Sequence, residues 1–190
     1  MDIREKHEII IEFTEDLLDM WTKEYFKKHP RAKKKPIKSP SHDSLNTWII
    51  LRRPMMNLLK QNWKSFGQFV VERHGLTNLG ISKCKCRYVV YRDTSRRRDL
   101  DNTVPKLLLD SLTAEASGLI VDDSYECITE LTLCFEYHKG VKGARLEFTE
   151  CEYDKELLEK TRIKEQGKTE KREKTLQDNK SKKKSKKKSK

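Results

Sequence analysis

The chain has 190 residues, with 42 Lys and Arg against 30 Asp and Glu and a formal charge of +12; a length of ~100–200 residues suits one domain. Hydrophobic residues make up 35% and charged residues 38%, too lean for a uniformly folded chain, so part of it should carry no core. No apolar run approaches the ~18 residues that span a bilayer, and Met1–Glu8 is too charged for a signal peptide. The expectation is a cytoplasmic, soluble protein with no membrane partner.

The charge is unevenly spread. Residues 155–190 hold 16 Lys and Arg and 6 Asp and Glu, a net of +10, which leaves +2 for residues 1–154. The expected organisation is a nearly neutral folded domain over 1–154 and a lysine-rich tail over 155–190, helical at its start and disordered from 165. Five cysteines are an odd number, and nothing suggests secretion, so a disulfide framework is not expected. Cys84-x-Cys86 lacks the two-residue gap of zinc ribbons, and the cysteines read as small buried hydrophobes.

Taken in order, Glu8 to Phe13 (EIIIEF) suits a strand by its β-branched character, while Thr14-x-x-Leu17-Leu18 can open a helix over 15–29. Leu17, Leu18, Trp21, Tyr25 and Phe26 give that helix a buried face, and Pro30 ends it. Residues 31–44, with two prolines and Lys33, Lys34, Lys35 and Lys38, read as an exposed loop. A second helix follows Pro54, with Met55, Leu58, Leu59, Asn62, Trp63, Phe66, Phe69 and Val70 as its inner stripe and Gly75 at its cap. From Ser82, Cys84, Cys86, Tyr88 and Val90 alternate with Lys85, Arg87 and Val89, the period of a strand. A third helix is expected over 105–116, capped by Asn102 or Thr103, with Leu108, Leu109 and Leu112 inside. Gly118 closes it, Leu119-Ile120-Val121 is short and apolar, and Asp122-Asp123 follows. Residues 128–137 and 144–149 then read as a hairpin around the glycines at 140 and 143.

Four carboxylates stand at element boundaries, in Asp99-x-Asp101 and Asp122-Asp123. In extended backbone, residues two apart project to one side, so Asp99 and Asp101 can converge. Converging carboxylates repel, and a hard divalent cation relieves that repulsion because it takes carboxylate and water oxygens. Carboxylates beside a basic stretch are what a metal-dependent nuclease requires, although aspartates of this pattern also cap helices and solvate turns. An EF-hand starting at Asp99 fails, since Val104 stands where glycine and Asp110 where glutamate is needed. The five histidines are scattered, no glycine-rich phosphate loop accompanies them, and Trp21, Trp63 and Phe66 fit helix cores rather than a base-stacking platform.

The run Arg98-Asp99-Leu100-Asp101-Asn102, then Lys106, then Asp110-Ser111-Leu112, then Asp122-Asp123 resembles the RusA family of Holliday junction resolvases. The likeness covers about residues 92–149, with Lys142 to Glu147 similar to the family's last strand. The step from Asp101 to Lys106 is one residue longer than in the family pattern, an insertion that Pro105 in a first helical turn accommodates. The resemblance implies a RusA-like α/β domain, a small mixed sheet flanked by helices, acting as an endodeoxyribonuclease with Mg2+ or Mn2+. It implies metal ligation by Asp99, Asp101 and Asp123, with Asp122 adjacent, and charge neutralisation on the scissile phosphate by Lys106. It also implies a homodimer on branched DNA, without a small-molecule substrate. Arg96, Arg97 and Arg98, in the same stretch as the acidic motif, are expected to hold phosphates, with Lys33, Lys34 and Lys35 as further candidates. Lys106 and Asp110 share a helical face. Other readings are a flap- or fork-selective nuclease, and a noncatalytic DNA- or RNA-binding protein whose tail supplies sequence-independent attraction.

Overall fold

The computed structural model describes residues 9–41, 49–94, 103 and 105–188, with side chains in the last helix described to 171 and at 174–175. Among these residues four strands and four helices follow in the order β1 (Ile9–Thr14), α1 (Glu15–Lys28), α2 (Arg53–Arg73), β2 (Ile81–Arg92), α3 (Lys106–Asp110), β3 (Ile128–Tyr137), β4 (Gly143–Tyr153) and α4 (Lys155–Lys188). Strand and helix meet at Thr14. It closes β1 and caps α1, its Oγ1 accepting from the Leu17 N–H at 3.3 Å and satisfying one of the open amides of the first turn.

The strands form one mixed sheet in the order β1-β4-β2-β3. Its register builds three apolar rows across the sheet: Phe13–Ala144–Val90–Phe135, Ile11–Leu146–Tyr88–Leu133 and Ile9–Phe148–Cys86–Leu131. Against these rows pack Leu18 and Trp21 of α1, Trp63, Phe66 and Val70 of α2, and Leu107 and Leu108 of α3. Cys84, Cys86 and Cys127 are buried and unbridged within this core. The intervening positions face the other way and carry an ionic lattice. Arg145 bonds Glu147 at 2.6 Å and Glu136 at 3.3 Å, and Arg87 bonds Glu147 at 3.1 Å.

Several sequence expectations are corrected. β3 and β4 do not form a hairpin. β3 pairs with β2 in parallel, and β4 lies on the opposite side of β2, antiparallel to it. β2 is thus a central strand, and Val89, though on the ionic face, is fully buried between Arg145 and Cys134 of its two neighbours. The third helix is α3 alone, five residues long, followed by turns to 117. Ser111 Oγ donates to the Leu108 carbonyl at 2.5 Å and Thr113 Oγ1 to the Asp110 carbonyl at 3.0 Å, the local side-chain bonding that competes with helix propagation. Thr103 is not its cap, since the N-cap position is Pro105, and Asn102 lies outside the described residues.

The loop after α1 is anchored by Ile37, 1% exposed, rather than lying wholly in solvent. The first turns of α2 overhang the core, leaving Met55 and Leu58 exposed. α4 runs to Lys188, well beyond the few turns anticipated and through the segment expected to be disordered. Its Lys, Glu and Gln are strong helix formers, and pairs such as Lys160–Glu156 support it along its surface. Beyond Leu158 none of its described side chains is buried. No helix among the described residues is long and apolar enough to cross a membrane.

Candidate functional site

The Asp122–Asp123 pair owes its position to a break in the sheet edge. Ile120 forms a parallel bridge to Ile81, with the Val121 N–H donating to the Ile81 carbonyl at 2.8 Å. The same edge resumes as β3, where Ile128 faces Cys84. Between these pairings lie seven residues, 121–127, against two of β2, 82–83, and the surplus bulges out. Asp122 is exposed on that bulge, and its Oδ1 accepts from the Asp123 N–H at 2.9 Å, so it fixes the local backbone. Asp123 turns inward toward α3.

α3 meets it there. Lys106, the first residue of α3, donates from Nζ to Asp110 at 2.9 Å and to Asp123 at 3.3 Å. One ammonium therefore joins two carboxylates, 4 and 17 residues away along the chain. What holds α3 in place is contact with α2 at Gly67. A Cβ built there would come closer than 3.0 Å to both Oγ and Cβ of the buried Ser111, so only glycine lets the chain after α3 pack so near. Upstream, Arg92 at the end of β2 donates to Thr103 Oγ1 at 3.3 Å.

The three charges are unequal in chemistry. Burial works against the Lys106 ammonium, but Asp110 and Asp123 outweigh it and hold its pKa above the ordinary lysine range; it stays cationic at neutral pH. Burial raises the Asp110 carboxyl, and the neighbouring Asp123 adds to this against the pull of Lys106. For Asp123 burial is overcome by Lys106 and by a hydrogen bond with Asp110, and its pKa is lowered. Of the two, Asp123 therefore gives up its proton more readily and Asp110 holds its own more tightly.

Around this triad opens a cleft of about 940 Å³. Lys60 and Lys64 of α2 line one side, Lys164 and Lys168 of α4 another, and among the described residues no aromatic side chain borders it. These four lysines were missed in the sequence. Their signal is the four-residue spacing within each pair, which puts both members on one helical face. Asp110 stood in the sequence as part of the motif and on the same helical face as Lys106.

Of the residues singled out from the sequence, Lys106 and Asp123 are brought together and Asp122 stands beside them. Asp99, Asp101, Arg96, Arg97 and Arg98 lie outside the described residues. Lys33, Lys34 and Lys35 are exposed on the loop after α1 and do not line the cleft; Lys35 is engaged with Asp19 at 2.8 Å. Among the described residues no group of three or more His, Cys, Asp or Glu side chains is arranged to hold a metal ion. The donor chemistry of Asp123 suits a hard cation, and its completion as a ligand set would fall to the aspartates of the first motif. No family model matches the chain and no curated protein matches it in sequence, so the RusA resemblance rests on the motif residues themselves.

Proposed function

We propose that the protein is a metal-dependent endodeoxyribonuclease of the RusA type that cuts branched DNA. The observation that carries this reading is the 3.3 Å contact between Lys106 and Asp123, which joins two separated parts of the motif at the edge of an open cleft. Asp123, with Asp99 and Asp101, would hold Mg2+ or Mn2+, and the ion when bound would neutralise and polarise the scissile phosphodiester. Lys106 adds a fixed cation that can face charge developing on the phosphate, at no reorganisation cost during the reaction. Asp110 positions that ammonium. The paired strands of a four-way junction would be met by a two-fold dimer presenting two such clefts.

The test incubates purified protein with a mobile four-way junction, a flap and a plain duplex, with Mg2+ or with EDTA, beside Asp101→Asn and Asp123→Asn. Mg2+-dependent cutting of the junction, lost in both variants, is the expected outcome. Preference for the flap would move the activity to fork structures. Binding of all three substrates without cutting of any would replace the nuclease with a binding module.

A further inference from the structure

The lysine-rich C-terminal segment looks in sequence like an appendage, yet the start of α4 is built into the molecule. Asp154 donates its N–H to the Gly80 carbonyl at 2.9 Å and accepts from the Leu157 N–H at 2.8 Å, capping the helix against the start of β2. Leu158 is buried with Ala114 and Val121 in a small apolar cluster of its own. One turn further, Arg162 donates to the Ala114 carbonyl at 3.3 Å and to Asn78 Oδ1 at 2.6 Å. Gly118, at φ +68°, leaves room for that guanidinium, since a Cβ there would stand 2.8 Å from Arg162 Nη2. The helix is thus clamped onto the turns that lead into Asp122 and Asp123.

This clamp sets the direction of the next two turns. Lys164 and Lys168 line the cleft from α4, as Lys60 and Lys64 line it from α2. Each pair is four residues apart, so its members lie about 6 Å apart along a helix axis. Carboxylates of the cleft wall hold Lys64, through Glu115 at 3.4 Å, and Lys168, through Glu165. Both glutamates line the cleft, Glu115 from the turns after α3 and Glu165 from α4. Surface pairs of this kind are weak and exchangeable. A polyanion entering the cleft can take the lysines from the glutamates. With no aromatic side chain lining it among the described residues, the cleft offers charge rather than a stacking surface, which favours contacts to sugar and phosphate.

We infer that the first four turns of α4 form a wall of the catalytic cleft, and that Lys164 and Lys168, facing Lys60 and Lys64, grip the phosphate backbone of the DNA strand. The identity of the strand rests on the nuclease reading above; the existence of a phosphate-binding wall does not. Glu115 and Glu165 occupy the lysines when no DNA is bound and compete with it.

The experiment measures binding of a labelled four-way junction by fluorescence anisotropy in EDTA, over a range of salt, and cutting in Mg2+ separately. In Lys164→Glu/Lys168→Glu, affinity at about 0.1 M salt should fall at least tenfold. The slope of log affinity against log salt should shrink by about 1.8, the loss of two phosphate contacts. The matched control is Lys23→Glu/Lys27→Glu on α1, with the same spacing and charge change away from the cleft, which should alter affinity by less than about threefold. Lys164→Arg/Lys168→Arg should bind as wild type. Glu115→Gln/Glu165→Gln should bind more tightly, and this arm stands even where the charge reversal fails to fold.

Equal effects from the α4 and α1 reversals, loss of binding in the arginine variant, or weaker binding in the glutamine variant would each overturn the wall. The nuclease reading is judged by other results, Mg2+-dependent cutting by wild type and its loss in Asp123→Asn. A protein that never cuts but still depends on Lys164 and Lys168 for binding leaves the wall standing and removes the nuclease.

Discussion

Gly67→Ala tests whether the contact between α2 and the chain after α3 governs the site. The new methyl would sit within 3.0 Å of Ser111 Oγ and Cβ, and Ser111 is fully buried. Rotation of Ser111 would move Oγ but not Cβ, so relief requires the chain at Ser111 to shift away from α2, which also strains the 2.5 Å bond of Ser111 to the Leu108 carbonyl. Overpacking of this kind costs about 2 kcal/mol, and loss of the buried hydroxyl bond about 1 kcal/mol more. Alanine returns about 1 kcal/mol, because glycine is a poor residue inside a helix. The net is about 2 kcal/mol, which for a chain of this size lowers Tm by ~4–8 °C. Ser111→Gly opens the space, so the double variant should be more stable than the sum of the two single changes by about 2 kcal/mol. Thermal melts of the four proteins supply the cycle. Because α3 begins at Lys106 and ends beside Ser111, Gly67→Ala should also lower the Mg2+-dependent cutting proposed above, under conditions where the protein is still folded. A Tm that rises in Gly67→Ala, or a double variant additive to within about 0.5 kcal/mol, would refute the account.

Lys106→Met removes the cation between Asp110 and Asp123, and both carboxyls should then titrate higher than in wild type; carboxyl carbon NMR reads this directly, and an unmoved Asp123 would contradict the contact. Stability should respond to pH with opposite signs at the two aspartates. Asp123, with its lowered pKa, stabilises the fold above its unfolded value and loses that contribution as pH falls through its folded value. The raised Asp110 stabilises it at low pH and loses that contribution as pH rises through its folded value. The Tm difference between Asp123→Asn and wild type should therefore shrink on acidification, while that of Asp110→Asn should grow. Leu158→Ala should cost about 2 kcal/mol, the lower end for a buried leucine because its cluster is small, and should speed hydrogen exchange in the first turns of α4 more than in β2.

What could be read from the sequence was local. Thr14 announced both the end of β1 and the start of α1, because one side chain serves as last strand residue and as cap. The stripe from Trp63 to Val70 declared its buried face, and the alternation of Cys84, Cys86, Tyr88 and Val90 declared a strand. What could not be read was competition between distant partners. A short linker between β3 and β4 favours a hairpin on local grounds, but β2 lies between the two strands and pairs with both. Val89, an apolar residue on the charged side of β2, fits that central place. The helix expected to run through 116 stops at 110 because Ser111 and Thr113 satisfy carbonyls that the next turn would have used, and Gly67 draws the chain inward.

The same distinction explains the site. Lys106 and Asp123 belong to a motif whose residue types betray their chemistry, whereas Lys60, Lys64, Lys164 and Lys168 are ordinary surface lysines until two helices are placed beside each other. Their placement depends on three residues with no chemistry of their own, Leu158, Arg162 and Gly118. Arg162 was the available clue. In a segment otherwise dominated by lysine, a guanidinium whose forked donors meet both a carbonyl and an amide oxygen does what an ammonium cannot. A change of Arg162 to lysine keeps the charge of the tail and should nevertheless loosen α4, so the wall of the cleft is specified by geometry at 162 and by charge only beyond it.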